Sequence, residues 1–483
     1  MGRGFLLDEL KFSPQMKILS DEQVARFQEA AFEILERIGM KVTHPKARDY
    51  LAGAGCKIEG EMVYYPQSAI KAALAKAPER VVMGTRDLKR TIHLEGRKSY
   101  FGPTLDCVNY LNPENGQREP FVSKHLLATA RLFERMDYFD WSMTLGMVGD
   151  YPAHMSDMVA PRLIFENTTK PLVSCCGPLA SLKEIYEMAV LCQGGVTNYE
   201  RQPLMATMLV PVSPLLFDEQ VLEKLIFCAE KKIPLILLSG AQAAGTAPAT
   251  MAGTVAMGFA EILSGLVLQQ AISPGAPFIC ASFNTLMDMR STIYSYGAIE
   301  MAMMVSAQAQ LAQSFSLPFF GTAGCTDSHA VDIQAGVEGA LQDIVAAAVG
   351  QGLVHDTHCW LDSGMTMAPT HMVMGEEILK MVKRFMEGFV LSDETLALDV
   401  LEKVGPGGNF LTEKHTMKHF KSMLYQDLFE RNSLESWEKK GSPPIDRRLV
   451  EKTQKLLALE PINLLEPEKV KELDARQKSW EKW

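Results

Sequence analysis

Four polar loops in this 483-residue chain carry the residues best suited to chemistry. They span residues 239–248, 282–297, 321–329 and 355–360, and each follows a short apolar run. Within them, His329, His355 and His358 are the candidate catalytic residues. The candidate substrate-binding residues, including one near the first apolar run, are Phe101, Gln242, Phe283, Asn284, Arg290, Tyr294, Tyr296 and Trp360.

The aromatic candidates fall at or near the ends of predicted strands, where some of them could surround a cation. Each ring face that contacts a cation contributes about 0.5–2 kcal/mol. Ordinary packing is the alternative role for any one of these rings. A carboxylate on the same ligand would suit Arg290 or one of the three histidines. Arg290 could instead pair with Asp288 or Glu300.

A zinc site is the alternative use of the last two loops. His355 and His358, together with Cys325 or Cys359, have the right ligand types for zinc. On a strand, however, residues three apart point to opposite faces, and the spacing fits no standard zinc motif. We therefore expect no tightly bound metal.

The elements that position these loops repeat eight times. Apolar or β-rich runs begin near Ser99, Phe139, Leu172, Leu204, Leu235, Phe278, Phe319 and Leu353. Each run is followed by a polar loop and a segment with helical periodicity, over about 124–136, 156–166, 182–193, 218–231, 250–270, 298–313, 333–349 and 375–386. Eight strand–helix repeats predict an α/β fold, a (β/α)8 TIM barrel with helical N-terminal and C-terminal extensions. In such a barrel the active site lies at the carboxyl ends of the strands.

Three segments follow from this pattern. Residues 1–95 form a mostly helical N-terminal cap, residues 96–390 the barrel, and residues 391–483 a C-terminal helical extension. A capping sequence, Ser20-Asp21-Glu22-Gln23, marks the start of one helix in the cap. We expect a homo-oligomer, since such assemblies are common among these barrels; large hydrophobic positions in the extension such as Phe420 and Tyr425 could serve an interface or could equally cover the barrel base.

Composition argues against several classes of partner. The net charge of −10 does not favour nucleic acid or an anionic membrane. The longest apolar stretch, about 256–272, is interrupted by polar residues and does not predict a transmembrane helix. Nine cysteines without Cys-x-x-Cys spacing indicate free thiols, which is typical of a cytoplasmic protein.

Several of these loop sequences, taken together, resemble the trimethylamine methyltransferase family. The resemblance rests on segments in the same order along most of the chain: 245–253, 274–277, 287–290, 327–328, 332–336, 363–366, 404–411, 428–433 and 437–438. Archetypal members contain pyrrolysine, which this chain lacks. The resemblance implies that His329 stands near the corresponding position. The resemblance is therefore to the non-pyrrolysine branch, whose members are linked to quaternary amines.

The resemblance implies that the protein moves a methyl group from a quaternary amine to the Co(I) of a separate cognate corrinoid protein, as in methylamine metabolism during methanogenesis or acetogenesis. Glycine betaine is the first substrate expected; proline betaine, carnitine or another methylamine are alternatives. Asp327-Ser328-His329 and Asp356-Thr357-His358 resemble the Asp-x-His of corrinoid-binding domains, but Asp332 and Leu361 replace the required glycine. The corrinoid is therefore expected on the partner. Rival interpretations are a non-catalytic betaine-binding protein and a zinc-dependent methyltransferase or lyase.

Overall fold

Seven parallel strands form the wall of a barrel. A computed structural model describes residues 10–480. Its wall consists of strands β1 (Ser99–Phe101), β2 (Leu172–Ser174), β3 (Met205–Leu209), β4 (Leu235–Ser239), β5 (Phe278–Ser282), β6 (Phe319–Thr322) and β7 (Gly352–His355). Neighbours pair in the order β2-β3-β4-β5-β6-β7-β1, and every one of these pairings is parallel.

Residues 139–143 close the barrel between β1 and β2. The backbone N–H of Asp140 donates to the carbonyl of Phe101 at 2.7 Å, and that of Ser142 donates to the carbonyl of Pro171 at 2.7 Å. Ser142 and Leu172 form a parallel bridge. This segment stands where the sequence predicts the second of eight strands, so the (β/α)8 barrel is confirmed.

A helix follows each of the eight strand positions and packs outside the wall. These helices are α1 (Ser123–Glu134), α2 (Ala153–Asn167), α3 (Leu179–Cys192), α4 (Glu219–Lys231), α5 (Met251–Ile272), α6 (Ile299–Ser314), α7 (Ile333–Val349) and α8 (Pro369–Glu387). By length and composition alone, α5 is apolar enough to cross a membrane. It lies instead between the wall and the N-terminal segment, with 83% of its apolar window buried.

The barrel interior is filled with side chains rather than open. Alternate residues of the wall point inward, and the inner layer includes Trp141, Val173, Met208, Leu238, Ile279, Phe320 and Leu353. A hairpin of Val81–Gly84 and Thr91–Leu94 covers the amino ends of the strands, packing Met83 and Ile92 against this layer. The hairpin covers the floor of the barrel, and in this fold the active site lies toward the carboxyl ends of the strands.

Shorter elements cover the outside and the loops. The N-terminal helices are Asp21–Glu33 with the π-helical Ile34–Ile38, Pro45–Gly53 and Gln67–Leu74, and a small sheet combines Met40–Val42, Lys57–Glu59, Met62–Tyr64 and Leu216–Phe217. Above the strand ends, one sheet joins Asn109–Leu111, Arg118–Pro120, Trp360–Leu361 and Thr366–Met367, and another joins Gln242–Ala243, Thr285–Met287 and Tyr294–Ser295. Helix Val196–Arg201 follows α3.

The C-terminal extension divides into an exposed part and a packed part. Its short elements are Phe389–Leu391, which pairs with Leu10–Phe12, and then Asp393–Leu396, Leu398–Val404, Lys414–His419, Phe420–Ser422 and Leu434–Lys439. None of the helices from 393 to 439 has a buried residue. The helices Ile445–Leu457 and Pro467–Trp480 return to the barrel and pack on α8 and on α2.

Candidate active site

The barrel mouth is the space above the strand ends, and one side of it is aromatic. Phe283, Tyr296 and Trp360 form this aromatic wall; we use that name for these three residues. The rings of Phe283 and Tyr296 stack with centroids 4.7 Å apart, and Trp360 lies 5.4 Å from Tyr296 and 6.1 Å from Phe283. Phe283 also packs on the inner layer of the barrel. The structure thus brings together three of the rings that the sequence suggested.

Asp327 fixes the position of Tyr296. Its carboxylate accepts hydrogen bonds from the backbone N–H of Tyr296 at 2.9 Å and of Gly297 at 3.1 Å. The hydroxyls of Ser295 and Ser363 donate to the same carboxylate. One side chain thus joins three loops and fixes the backbone at Tyr296. The Tyr296 phenol stays neutral, since burial, together with the nearby Asp356 charge, raises its pKa to about 12.

His355 ends β7 and faces the mouth, as one of the candidate catalytic histidines. Its ring stacks on Phe320 with centroids 4.5 Å apart and lies 5.5 Å from Phe283. Nε2 contacts the hydroxyl of Thr322 at 2.5 Å, and Nδ1 lies 3.0 Å from a carboxylate oxygen of Asp356. The imidazole is therefore fixed between the inner layer and a buried carboxylate, close to the aromatic wall.

Asp106, on the opposite side of the mouth, lines a cavity of about 460 Å³ together with Asp157 and Cys175. Among residues 10–480, the Asp106 carboxylate makes no hydrogen bond or ion pair, and it remains open to the cavity. Surrounding protein raises its pKa to about 6, and the charges of Asp157 and Asp356 add to that effect. The sequence interpretation missed Asp106, although a polar residue just after β1 was a usable signal.

His358 lies away from the mouth. It is fully buried between α7 and α8, where Nε2 contacts Asp343 at 2.8 Å and Nδ1 contacts His371 at 3.2 Å. A Cβ added at Gly339 or Gly375 would lie only 2.2 or 2.3 Å from the nearest atom of His358, so both helices need glycine at these positions. This placement favours a structural role over contact with substrate.

His329 and Arg290 are on the surface, where each is paired with a carboxylate. His329 has an exposed side chain and lies 2.7 Å from Asp362. The side chain of Arg290 is 91% exposed and contacts Asp288 at 2.9 Å. The Arg290 guanidinium lowers the Asp288 pKa to about 2. Arg290 thus pairs with Asp288, which is the alternative role that the sequence indicated for it.

Two further candidates point away from the mouth. Phe101 belongs to the layer between the wall and the helices, with Lys383 Nζ 6.0 Å from its ring centre. Asn284 is fully buried behind the sheet, and its side-chain oxygen accepts hydrogen bonds from the hydroxyl of Ser239 and the backbone N–H of Ala241, both at 3.1 Å. Strand alternation directs both side chains toward the outer helices, which does not favour substrate contact.

Gln242 and Tyr294 occupy the small sheet over the β4 and β5 ends. Gln242 pairs with Thr285, and its backbone carbonyl closes the turn to Ala247. A Cβ added at Gly245 would lie 3.0 Å from the Tyr294 hydroxyl, so Tyr294 packs against this turn. Both half-buried residues support the loop that borders the mouth.

Metal and thiol chemistry have little support at the mouth. His355 and His358 diverge, and the fully buried Cys325 and Cys359 have pKa values raised well above normal by burial. Within residues 10–480, the cluster of three side chains with metal-ligand geometry is His44, Glu219 and Glu223, outside the mouth. Burial also raises the Cys175 pKa to about 12, so this thiol stays protonated.

Sequence comparison places the chain in one family. Residues 8–479 match the family described as trimethylamine methyltransferase. A glycine betaine methyltransferase from Desulfitobacterium hafniense (strain Y51) is 30% identical over 440 residues, which cover 88% of this chain and 89% of that protein. A trimethylamine methyltransferase from Methanosarcina thermophila is 28% identical over 473 residues, 95% of each chain. The crystal structure of the Methanosarcina barkeri monomethylamine methyltransferase aligns with 90% of this chain and 91% of that one, at 12% identity and a TM-score of 0.49.

The family match spans nearly the whole chain, from the N-terminal segment through the barrel to the last helix. The relatives are also matched over most of their own length, so the similarity is not confined to a shared barrel. The chain is a methyltransferase and belongs to the trimethylamine methyltransferase family.

Proposed function

We propose that this methyltransferase removes a methyl group from a small quaternary amine and gives it to the Co(I) of a separate corrinoid protein in the cytoplasm. Glycine betaine is the first substrate to test, because the relative with 30% identity is a glycine betaine methyltransferase. Proline betaine, carnitine and other methylamines are the alternatives. The nine cysteines, all of them free thiols, support a reducing compartment.

The aromatic wall is the observation that carries this proposal. A quaternary ammonium has no N–H, so hydrogen bonds to its nitrogen are impossible. Ring faces attract it instead, each by about 0.5–2 kcal/mol. Phe283, Tyr296 and Trp360 offer three such rings within 6.1 Å of one another, directly above the closed barrel interior. These rings support the placement of a small methylated cation on this side of the mouth.

Methyl transfer from a quaternary amine does not require an acid or a base from the protein. When the N–CH₃ bond breaks, its electron pair stays on nitrogen and the leaving group is a neutral amine. The Co(I) of the acceptor supplies the nucleophile, so no proton moves. The chain must hold the amine in line with the acceptor and exclude water, which is catalysis by positioning. The neutral Tyr296 phenol and the protonated Cys175 thiol are consistent with that role.

The test is methyl transfer from a panel of amines to free Co(I) cobalamin, followed by the absorbance change to methyl-Co(III). The panel contains glycine betaine, proline betaine, carnitine, choline and trimethylamine. Selective reaction with one quaternary amine supports the proposal and names the substrate. No reaction, with Co(I) shown to be active and betaine shown to bind, favours a non-catalytic betaine-binding protein. Stoichiometric zinc in the purified protein favours the zinc-dependent alternative.

We also propose that the chain forms a homo-oligomer through a second copy of itself. A groove of about 470 Å³ between α7 and α8 is lined by apolar residues, including Val337 and Phe385. The extension beyond residue 388 exposes large hydrophobic side chains such as Leu398, which is 67% exposed. Light scattering should give a mass above that of one chain, and V337K should lower it. A monomeric wild-type protein would contradict this assembly.

A further inference from the structure

Tyr296, one ring of the aromatic wall, lies between two elements of regular secondary structure. It follows the strand Tyr294–Ser295 and precedes α6. Side chains bind both of its backbone polar groups: Asp327 accepts from its N–H at 2.9 Å, and Gln342 Nε2 donates to its carbonyl at 2.9 Å. The position of this ring therefore depends on residues outside its own loop.

Gln342 reaches this loop from α7, which packs outside the barrel wall. Its side chain is buried, and its Oε1 accepts a hydrogen bond from the backbone N–H of Cys325 at 3.0 Å. Only one orientation of the amide satisfies both contacts, because Cys325 offers a donor and Tyr296 an acceptor. Gln342 thus joins the loop after β6 to the loop that carries Tyr296.

Glu338 lies one helical turn before Gln342, on the same face of α7. Its Oε2 accepts hydrogen bonds from the hydroxyl of Thr326 at 2.6 Å and from the backbone N–H of Asp327 at 3.1 Å. Asp327 in turn binds the backbone N–H of Tyr296. Glu338 therefore holds in place the residue that fixes the backbone at Tyr296.

Gly297 shows how closely α7 approaches the loop of Tyr296. A Cβ added at this glycine would overlap the carboxylate of Glu338. That carboxylate cannot withdraw freely, because Thr326 and Asp327 already bind it. The absence of a side chain at position 297 is thus what permits the contact between this loop and the helix.

We propose that Glu338 and Gln342 are positioning residues of the substrate site, which hold Tyr296 where its ring meets the substrate's ammonium group. This inference rests on the proposed function, since it takes the substrate to be a quaternary amine bound at the aromatic wall. In this role neither side chain needs to touch the amine. A displaced Tyr296 would also leave its stack with Phe283, whose ring centroid lies 4.7 Å away.

The experiment is calorimetric binding of glycine betaine, proline betaine, carnitine and choline to the full chain, without any methyl acceptor. For the amine that wild-type protein binds best, we expect E338A to weaken binding roughly 3-fold, which is part of the ~2- to 30-fold that one ring contact contributes. E338Q keeps a side-chain oxygen for Thr326 and Asp327 and should restore most of the affinity. The control L341A truncates an exposed side chain of the same helix and should leave the affinity unchanged.

A double-mutant cycle distinguishes positioning of Tyr296 from a general structural role. In the Y296A background, E338A and Q342A should each have no further effect on affinity, because the ring that they position is gone. E338A is the primary variant, since Gln342 is buried and its removal costs more stability. If E338A lowers affinity by the same factor with and without Tyr296, it acts through the fold in general and the inference is overturned.

The outcomes also separate this inference from the proposed function. If wild-type protein binds none of these amines, the proposed function fails and the inference fails with it. If wild-type protein binds an amine and E338A binds it equally well, only the positioning inference is overturned. An E338Q protein as weak as E338A would show that the hydrogen bonds to Thr326 and Asp327 are not the cause, which also overturns it.

Discussion

Two histidines three residues apart lie in regions of opposite character. His355 faces the mouth, where Asp106 and one oxygen of Asp356 have no hydrogen-bond partner among the described residues. His358 lies in the interhelical network, which comprises His358, Asp343 and His371 between α7 and α8. There each histidine ring nitrogen has a partner, including the contact of His371 Nδ1 with the carbonyl of Trp360 at 2.9 Å.

The difference separates groups that stabilise the fold from groups left available for a ligand. This buried polar network joins α7 and α8 and holds them in one arrangement, although Oδ1 of Asp343 has no hydrogen bond with the described residues. In the mouth, by contrast, the exposed Asp106 carboxylate and the partly buried rings of Phe283 and Tyr296 border the space above the strand ends. Changes in the network should therefore lower stability, whereas changes in the mouth should lower affinity or rate.

The largest effect is expected from H358A. Removing the imidazole leaves Asp343 buried without its partner, which typically costs about 3–5 kcal/mol in the free energy of unfolding. Denaturant unfolding measures this change. Activity per folded molecule should stay near wild type. If H358A were as stable as wild type but had lost methyl transfer, His358 would have a catalytic role and the comparison of the two regions would be wrong.

G375A tests the same network from the helix side. The new Cβ would overlap the Cβ of His358, and a Cβ cannot rotate away. Overpacking of this kind costs about 1–3 kcal/mol. Thermal unfolding measures it, with G336A as the matched control on α7, because an added Cβ there has no neighbour closer than 3.9 Å. Equal stability of the two variants would contradict the tight packing around His358.

F283A and Y296A test the aromatic wall. Each should weaken the contact with the ammonium by about 0.5–2 kcal/mol, observed as a lower kcat/KM for the methylamine. Stability should fall less than in H358A, because both rings border open space and are only partly buried. If both variants keep the wild-type KM and rate, the wall does not bind the substrate.

D106N should stabilise the fold near pH 7.5. The folded-state pKa of Asp106, about 6, is above the ordinary value of 3.8, so ionising this group destabilises the folded chain as pH rises through 6. The neutral amide avoids that cost, and its advantage should shrink as pH falls to 5. The titratable groups around Asp106 are Asp157, Asp356, Cys107 and Cys175. Melting temperatures at both pH values measure the difference, and a constant difference would contradict it.

The smallest effect is expected from H329A. An exposed pair such as His329–Asp362 contributes about 0–1 kcal/mol. Melting temperature and methyl transfer should both stay near wild type. A large loss of methyl transfer would show that a surface histidine contributes to catalysis, by contact with substrate or with the corrinoid partner.

The sequence by itself determined the barrel and the rings of its mouth. Local periodicity predicts strands and helices because alternate burial along a strand and the one buried face of a helix each produce a characteristic spacing of apolar residues. For this reason the sequence alone predicts the eight strand positions. It also predicts that aromatic residues lie near their ends, among them Phe283, Tyr296 and Trp360. The family resemblance, carried by loop segments over most of the chain, is also a property of the sequence alone.

Only the tertiary structure decided which polar residues share a site. His355 and His358 are alike in sequence, but the left-handed turn at Asp356 directs one to the mouth and the other between two helices. Asp106 and Asp356 are 250 residues apart, yet both follow strands that are neighbours in the closed wall, β1 and β7. Asn284 and Phe101 lie near strand ends as predicted, but their side chains face the helices. Side-chain direction and long-range pairing depend on the register of the whole barrel, and no local pattern encodes it.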